Sequence, residues 1–388
     1  MSAAMVLRQA LLLVALAPFA YYVCAIIAAG RFFGRAAAQA AYPDFTPPIS
    51  VLKPIRGLDR EAGENFASFC RQEYPEFEIL FCASDEADPA VPVIRQLMAD
   101  FPDCAMRLLI GCEPLGASDK LNKLCRLARE ARYSLLIVSD SDVRVEPGFL
   151  RAIAAHFGDP KVGGVTCLYR GITDDSLPAD LSALGNSTDF APGVIVAGMR
   201  GGIDFMLGAV MATTKQCLAE IGGFEFLVDY FSDDYELGNR IAAAGYRVEL
   251  SAFPVAIVYP HLRLRDAFRQ QLRWNVSVRC SRPLGHAGMV FTQGLAWTIL
   301  GIALATSWIG VFAFTIAYLL LRSDVALTVG ARGMQDPLVR RKQHLLILRD
   351  VFAFVAWAAS FFPRRILWRG QQFYVRGKRL VPVVERRS

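Results

Sequence analysis

Residues 288–321 carry no charged side chain over 34 consecutive positions, and residues 10–30 carry none either. No soluble fold requires such runs. A bilayer does, because its hydrocarbon core takes about 20 apolar residues as a helix. Residues 10–30 therefore read as one transmembrane anchor. Residues 288–322 exceed one untilted span and read as a tightly joined transmembrane hairpin. A cleaved signal peptide is the rival for the first run, with Ala38-Gln39-Ala40 as its cleavage site. The run is longer than a signal core, however, and Arg31 and Arg35 separate it from that triplet, which favours a retained anchor. The same arginines place the domain after the anchor in the cytoplasm. These segments account for a hydrophobic content of 54% and a mean hydropathy of +0.33.

Residues 343–362 look like a further span, but Arg349-Asp350 leaves only 351–362 free of charge. That is too short to cross, so an interfacial or re-entrant segment is expected. The tail, residues 363–388, holds eight Lys and Arg against Glu385 alone, a bias that belongs on the cytoplasmic side. The net charge of +6 thus sits beside membrane segments and requires no nucleic acid partner. Nine cysteines show neither a CxxC pair nor His-rich spacing, which argues against zinc and against a disulfide framework.

Between the membrane segments, residues 45–280 alternate short β-branched runs with helical patterns. Strands are expected at 49–54, 78–83, 107–111 and 135–138, which makes an α/β domain with a mostly parallel sheet covered on both faces. Polar residues gather where these strands end: Lys53, Asp85, Asp140 and Asp142. In an open α/β sheet that rim is where a nucleotide binds. Asp140-Ser141-Asp142 suits a divalent cation that also holds a diphosphate, since hard cations take carboxylate and phosphate oxygens. Alone, it also reads as an acidic turn. Asp85 reads equally as a helix cap. Lys120 and Lys123 read as a solvated helix face, with a lysine near the rim able to meet phosphate. Residues 190–207, apolar but holding Arg200, Asp204 and several glycines, read as cavity wall or membrane-contacting surface. Asp233-Asp234 should open a helix, where acids complement the dipole. Gln270, Arg273 and Trp274 fall at i, i+3 and i+4 and share one face of a basic helix spanning about 264–278. That face suits a phosphate clamp beside an aromatic platform.

In this order, Asp85, Asp140-Ser141-Asp142, Asp233-Asp234 and Gln270-x-x-Arg273-Trp274 resemble the D, DxD, (E/D)D and (Q/R)xxRW set of GT-A glycosyltransferases of the family 2 type. Lys53-Pro54-Ile55-Arg56-Gly57, Asp85-Glu86-Ala87-Asp88-Pro89-Ala90, Asp140-Ser141-Asp142-Val143-Arg144-Val145 and Asp234-Tyr235 resemble ceramide glucosyltransferases more closely. The similarity covers most of residues 45–280 and extends to Arg349-Asp350 and Trp368-Arg369-Gly370. Bacterial hopanoid-associated glycosyltransferases are similar to the same pattern.

The resemblance implies a GT-A fold and inverting transfer of glucose or N-acetylglucosamine from a UDP-sugar to the hydroxyl of a membrane lipid, with Mg2+ or Mn2+ as cofactor. It implies Asp85 on the uracil, Asp140 on the ribose and Asp142 on the metal, with Lys53 and Gln270 also on the donor side. Asp234 would be the general base. Arg273 would stabilise departing UDP and Trp274 would line the acceptor site. The resemblance also implies an integral protein of the bacterial inner membrane with a cytoplasmic catalytic domain, its partners being the donor, the lipid and the bilayer. Residues 188–208 match the ceramide enzymes poorly. A processive polysaccharide synthase shares the Q-x-x-R-W pattern but needs more spanning helices for a polymer channel. A non-enzymatic nucleotide- or lipid-binding scaffold would lack the base or the metal carboxylate, and both are present.

Overall fold

Buried parallel strands read as continuous apolar runs because both faces are covered, and the computed structural model of the chain shows how these runs are used. It describes residues 2–36, 44–363, 365–368 and 371–382. The Ala38-Gln39-Ala40 triplet, Arg369-Gly370 and the last six residues lie outside the described residues. The chain divides into two compact units: residues 1–35, 173–199 and 261–363 form one, and residues 36–172, 200–260 and 364–388 the other.

The second unit is built on eight strands: β1 Ile49–Pro54, β2 Phe77–Ala83, β3 Met106–Ile110, β4 Leu135–Ser139, β5 Val143–Arg144, β6 Val162–Ile172, β7 Val210–Thr214 and β8 Arg247–Val258. Their order is β3-β2-β1-β4-β7-β6-β8-β5. The half from β3 to β4 is parallel throughout. Beyond β4 the sheet is mixed, with β7 antiparallel to both its neighbours and β6 parallel to β8. This is the mostly parallel α/β sheet expected from the sequence in its first half, and a mixed one beyond it. Alternate residues serve two apolar layers, as a strand's period of two requires. Val51, Phe81 and Ile137 face Phe66, Phe69 and Phe149. Leu52, Leu80, Leu136 and Val138 face Leu121, Leu124 and Leu237.

Strand β8 runs through Pro254. Pro254 lacks a backbone donor, and it is tolerated because the β6–β8 register shifts between Cys167 and Tyr169, opposite Ser251 and Val255. The tail forms a separate three-stranded sheet, β9 Arg365–Trp368, β10 Gln371–Arg376 and β11 Arg379–Pro382, in the order β11-β10-β9.

The first unit is helical. Helices Ala3–Val14 and Ala17–Ala36 make up a span candidate, Ala3–Gly34, of 32 residues; Trp308–Gly333, of 26 residues, is a second. Pro283–Thr292 and Gly294–Leu304 form a pair bent by 54°, which adds a third if it counts as one span. Helix Trp308–Val325 continues past the end of the charge-free run at Leu321. It can do so because Arg322 is buried and fully engaged. Its guanidinium donates to Asp350 at 2.7 Å, to Asp189 at 2.7 Å and to the Thr188 carbonyl at 3.0 Å. Arg349 donates to Asp189 at 2.7 Å and to Gln271 Oε1 at 3.2 Å. The charges that interrupt residues 343–362 are therefore buried partners within this unit, on the 14-residue helix Leu346–Ala359.

Candidate active site

The acidic turn at the end of β4 is fixed from several sides by main-chain bonds. Asp140 N donates to Ala209 O at 3.2 Å and Val258 N donates to Asp142 O at 2.9 Å. Below the turn, Lys53 is fully buried on β1. Its ammonium donates to Ser139 Oγ at 3.2 Å and to the Asp140 carbonyl at 3.1 Å, and lies 3.8 Å from the centre of the Phe69 ring. Burial pulls the amine down to about 7, against the opposing pull of Asp140, Asp142 and Asp59. The sequence expectation set Lys53 against the donor. The whole side chain lies beneath the turn, because β1 is central and its residues have no exposed face. Ser141 Oγ donates to Asp59, a residue the sequence patterns did not single out.

Asp142 is shifted upward, opposed only in part by Lys53 and a main-chain hydrogen bond. Burial raises its carboxyl to about 7, and Asp140 and Asp59 push the same way. A carboxyl raised by burial and then by two neighbouring carboxylates is a place where a cation relieves the repulsion. Among the described residues no group of three or more His, Cys, Asp or Glu is arranged to hold a metal unaided. The divalent cations of nucleotide chemistry take one or two carboxylates and complete their shell with substrate phosphates. The donor set here, hard carboxylate oxygen, suits Mg2+ or Mn2+.

Lys120 joins the turn to the second acidic motif. Its ammonium lies 2.7 Å from Asp140 Oδ1 and 3.6 Å from Asp233 Oδ2, with its side chain 13% exposed. Burial would lower it, yet Asp140 and Asp233 overcome that and raise it above the ordinary lysine range. Lys123, 1% exposed, donates to the Ile55 carbonyl at 2.6 Å and to Asp119 at 2.8 Å. The solvated helix face expected for these lysines is thus corrected. Both project from helix Asp119–Glu130, capped by Ser118, and Lys123 packs under the loop after β1. A helix pattern alone shows which residues share a face, not what faces them.

Asp233 and Asp234 begin helix Asp233–Ala243. Asp234 Oδ1 accepts from Tyr235 N at 2.8 Å, and its main-chain carbonyl accepts from Met206 N at 3.2 Å. Burial, then Asp233, raises its carboxyl to about 7, whereas the Tyr235 bond and Lys120 lower it. Two glycines make this packing possible. A Cβ on Gly238 would lie 2.4 Å from the Phe205 backbone, and one on Gly208 would lie 3.2 Å from Asp234 Oδ2. Gly208→Ala is therefore expected to displace the Asp234 carboxylate by a few tenths of an ångström. Turnover should fall roughly tenfold with donor KM unchanged, since misplacing a reacting group acts on the chemical step. Steady-state kinetics check this.

Asp85 follows β2. It closes a turn by accepting from Ala87 N at 2.9 Å, and Asp88 accepts from Ala90 N at 3.0 Å and Gly57 N at 2.9 Å. Asp85 and Asp88 line a cavity of about 410 Å³ with Arg56, Ser84, Asp119 and Asn122. Asp85, Asp140, Asp142, Asp233 and Asp234 all stand in the second unit. Gln270, Arg273 and Trp274 stand in the first, on helix Leu264–Ser281, where Gln270 Oε1 is buried without a hydrogen-bond partner among the described residues.

The chain is 29% identical over 234 residues to ceramide glucosyltransferase 1 of Caenorhabditis elegans, spanning 60% of this chain and 50% of that protein. With ceramide glucosyltransferase 3 of the same organism it is 30% identical over 211 residues, 54% of this chain and 45% of the relative. It thus spans about half the length of these relatives. A mannosyltransferase from Pyrobaculum calidifontis, solved in complex with GDP-Man and Mn2+, overlays with a TM-score of 0.49 at 17% identity, covering 91% of this chain and 99% of that one. The model of glycosyl transferase family 21 matches residues 10–381. With the match running across both units and through every acidic motif, the chain belongs to glycosyl transferase family 21.

Proposed function

We propose that this protein transfers a hexose, glucose or N-acetylglucosamine, from a UDP-sugar to the hydroxyl of a membrane lipid with inversion at the anomeric carbon. The lipid is of the ceramide type, with a hopanoid as the second reading because residues 188–208 depart from the ceramide enzymes. The observation that carries the reading is Lys120, which links Asp140 of the strand-end turn to Asp233 of the acidic helix. One cation thereby gathers the donor-side and acceptor-side carboxylates onto one rim.

In this reading the cavity beside Asp85 takes the uracil, and Asp140 the ribose. Asp142 holds a divalent cation, which supplies charge neutralisation for the diphosphate. Asp234 accepts the proton of the lipid hydroxyl as the oxygen bonds to the anomeric carbon and the bond to UDP breaks. Arg273 stabilises the charge that develops on UDP, Gln270 supports the donor and Trp274 lines the acceptor site. A carboxyl near 7 is a suitable base at neutral pH. Lys53 acts through the turn it supports.

The span candidates support an integral membrane protein, with the acids on the cytoplasmic side where UDP-sugars are found. The tail shares that side in this reading, since Phe231 N donates to the Lys378 carbonyl at 2.9 Å within the unit that carries the acids. Membranes containing the protein, supplied with labelled UDP-glucose or UDP-N-acetylglucosamine and a panel of lipids, should label one lipid class. Absence of label from every lipid with both donors overturns the proposal. Lys120→Ala should weaken UDP binding by roughly 10- to 100-fold, the scale of a lost charge-assisted bond. Isothermal titration with UDP and Mn2+ measures it.

A further inference from the structure

The tail sheet meets the acidic helix at residues on both sides of Asp233-Asp234. Ahead of the pair, Phe231 N donates to the Lys378 carbonyl at 2.9 Å, and Tyr230 forms a bridge with Arg379. After it, Lys378 Nζ lies 2.7 Å from Glu236 Oε1 and 5.3 Å from the centre of the Tyr235 ring. Phe231 and Glu236 are both buried. The tip that makes these contacts is a tight hairpin turn. Gly377 takes φ +60° between the paired residues Arg376 and Arg379, the conformation of a two-residue turn with glycine first. Nothing in the acidic motif or in the tail's charge bias foretells this meeting.

We infer that the carboxyl-terminal hairpin is a clamp that sets the position of the acidic pair, with Lys378 as a positioning residue for Asp234. The inference rests on the reading of Asp234 as the base. Lys378 touches neither acid. It acts by holding the residues on either side of them, so that the helix start at Ser232 cannot slide along the rim. The lysine end of its ion pair is 42% exposed and the Glu236 end 9%, so Lys378→Met leaves a buried carboxylate unpaired, whereas Glu236→Gln breaks the pair without leaving one. A displacement of about 1 Å at a reacting group costs up to 100-fold in rate.

The test uses the full-length protein in detergent. For Lys378→Met, hydrogen exchange should accelerate at least tenfold in peptides covering residues 228–238, with exchange in peptides covering β1, β2 and β4 unchanged. Turnover should fall about tenfold while donor KM stays within about twofold, and Lys378→Arg should restore most of it. Glu236→Gln should reproduce the turnover loss, and the double variant should lose no more than either single one, as for two halves of one contact. Should Lys378→Met fail to fold, Glu236→Gln carries the same readouts. Parent-like exchange and turnover in the variants would overturn the clamp, as would a loss that Lys378→Arg does not restore. The exchange arm needs no substrate, so a parent inactive towards every lipid would remove the transferase reading while still deciding the clamp.

Discussion

Asp142→Asn is expected to abolish sugar transfer by removing Mn2+-dependent UDP binding, with affinity lowered at least about 100-fold. Even residues one layer outside a metal site cost 10- to 100-fold when lost. The parent carboxyl stands at about 7, raised by burial and by Asp140 and Asp59. Cation binding therefore displaces a proton from part of the population at neutral pH, and UDP–Mn2+ affinity should tighten as pH rises from 6 to 8. The sign for stability is the reverse. Because the folded carboxyl binds its proton more tightly than the unfolded one, the associated stability is present at low pH and is lost as pH rises through about 7. The asparagine variant carries no charge to bury. Without metal at pH 8 it should melt at or above the parent temperature, which separates lost binding from lost folding. Titration calorimetry and thermal melts measure both effects. A variant that binds Mn2+ and UDP as tightly as the parent removes Asp142 from the metal role.

What could be read from the chain was local. Leu135 to Ser139 is buried on both faces, so four apolar residues followed by Asp140-Ser141-Asp142 identified both a strand and the point where it ends. Asp85 and the start of helix Asp233–Ala243 were legible for the same reason, since strand ends and helix first turns leave marks in adjacent residues. Contacts between distant segments left none. Lys123 reaches the Ile55 carbonyl 68 residues away, and Lys120 reaches Asp140 and Asp233, so a basic helix face concealed two buried ammonium groups. Arg322 and Arg349 broke apolar runs in the sequence. Their partners, Asp189 and Asp350, explain how the helices carry such charges. Lys53 shows the limit of a motif. Its place in the pattern pointed to the rim, but its position on a central strand made it a support for the turn.

Asp234→Asn should leave donor binding intact and reduce transfer by roughly 100-fold or more, the contribution of a lost general base. Several features set this carboxylate apart from Asp233. Asp233 lies 3.6 Å from the Lys120 ammonium. Asp234 has one oxygen on Tyr235 N, while the other faces Gly208, where only a hydrogen occupies the Cβ position. Burial and the neighbouring Asp233 charge raise it to about 7. The base form therefore grows as pH rises through that value, and parent turnover should climb tenfold per pH unit below about 6 and level off above about 8. The asparagine variant has no proton to lose, so its residual turnover should be flat over the same range. An Asp233→Asn variant differs on this account: it loosens Lys120 and so raises donor KM, and the loss of the Asp233 charge moves the limb to lower pH without abolishing it. Turnover measured from pH 5.5 to 8.5 at saturating donor distinguishes the two acids. If Asp234→Asn retains the parent rate and the parent limb, while Asp233→Asn loses both, the base is Asp233.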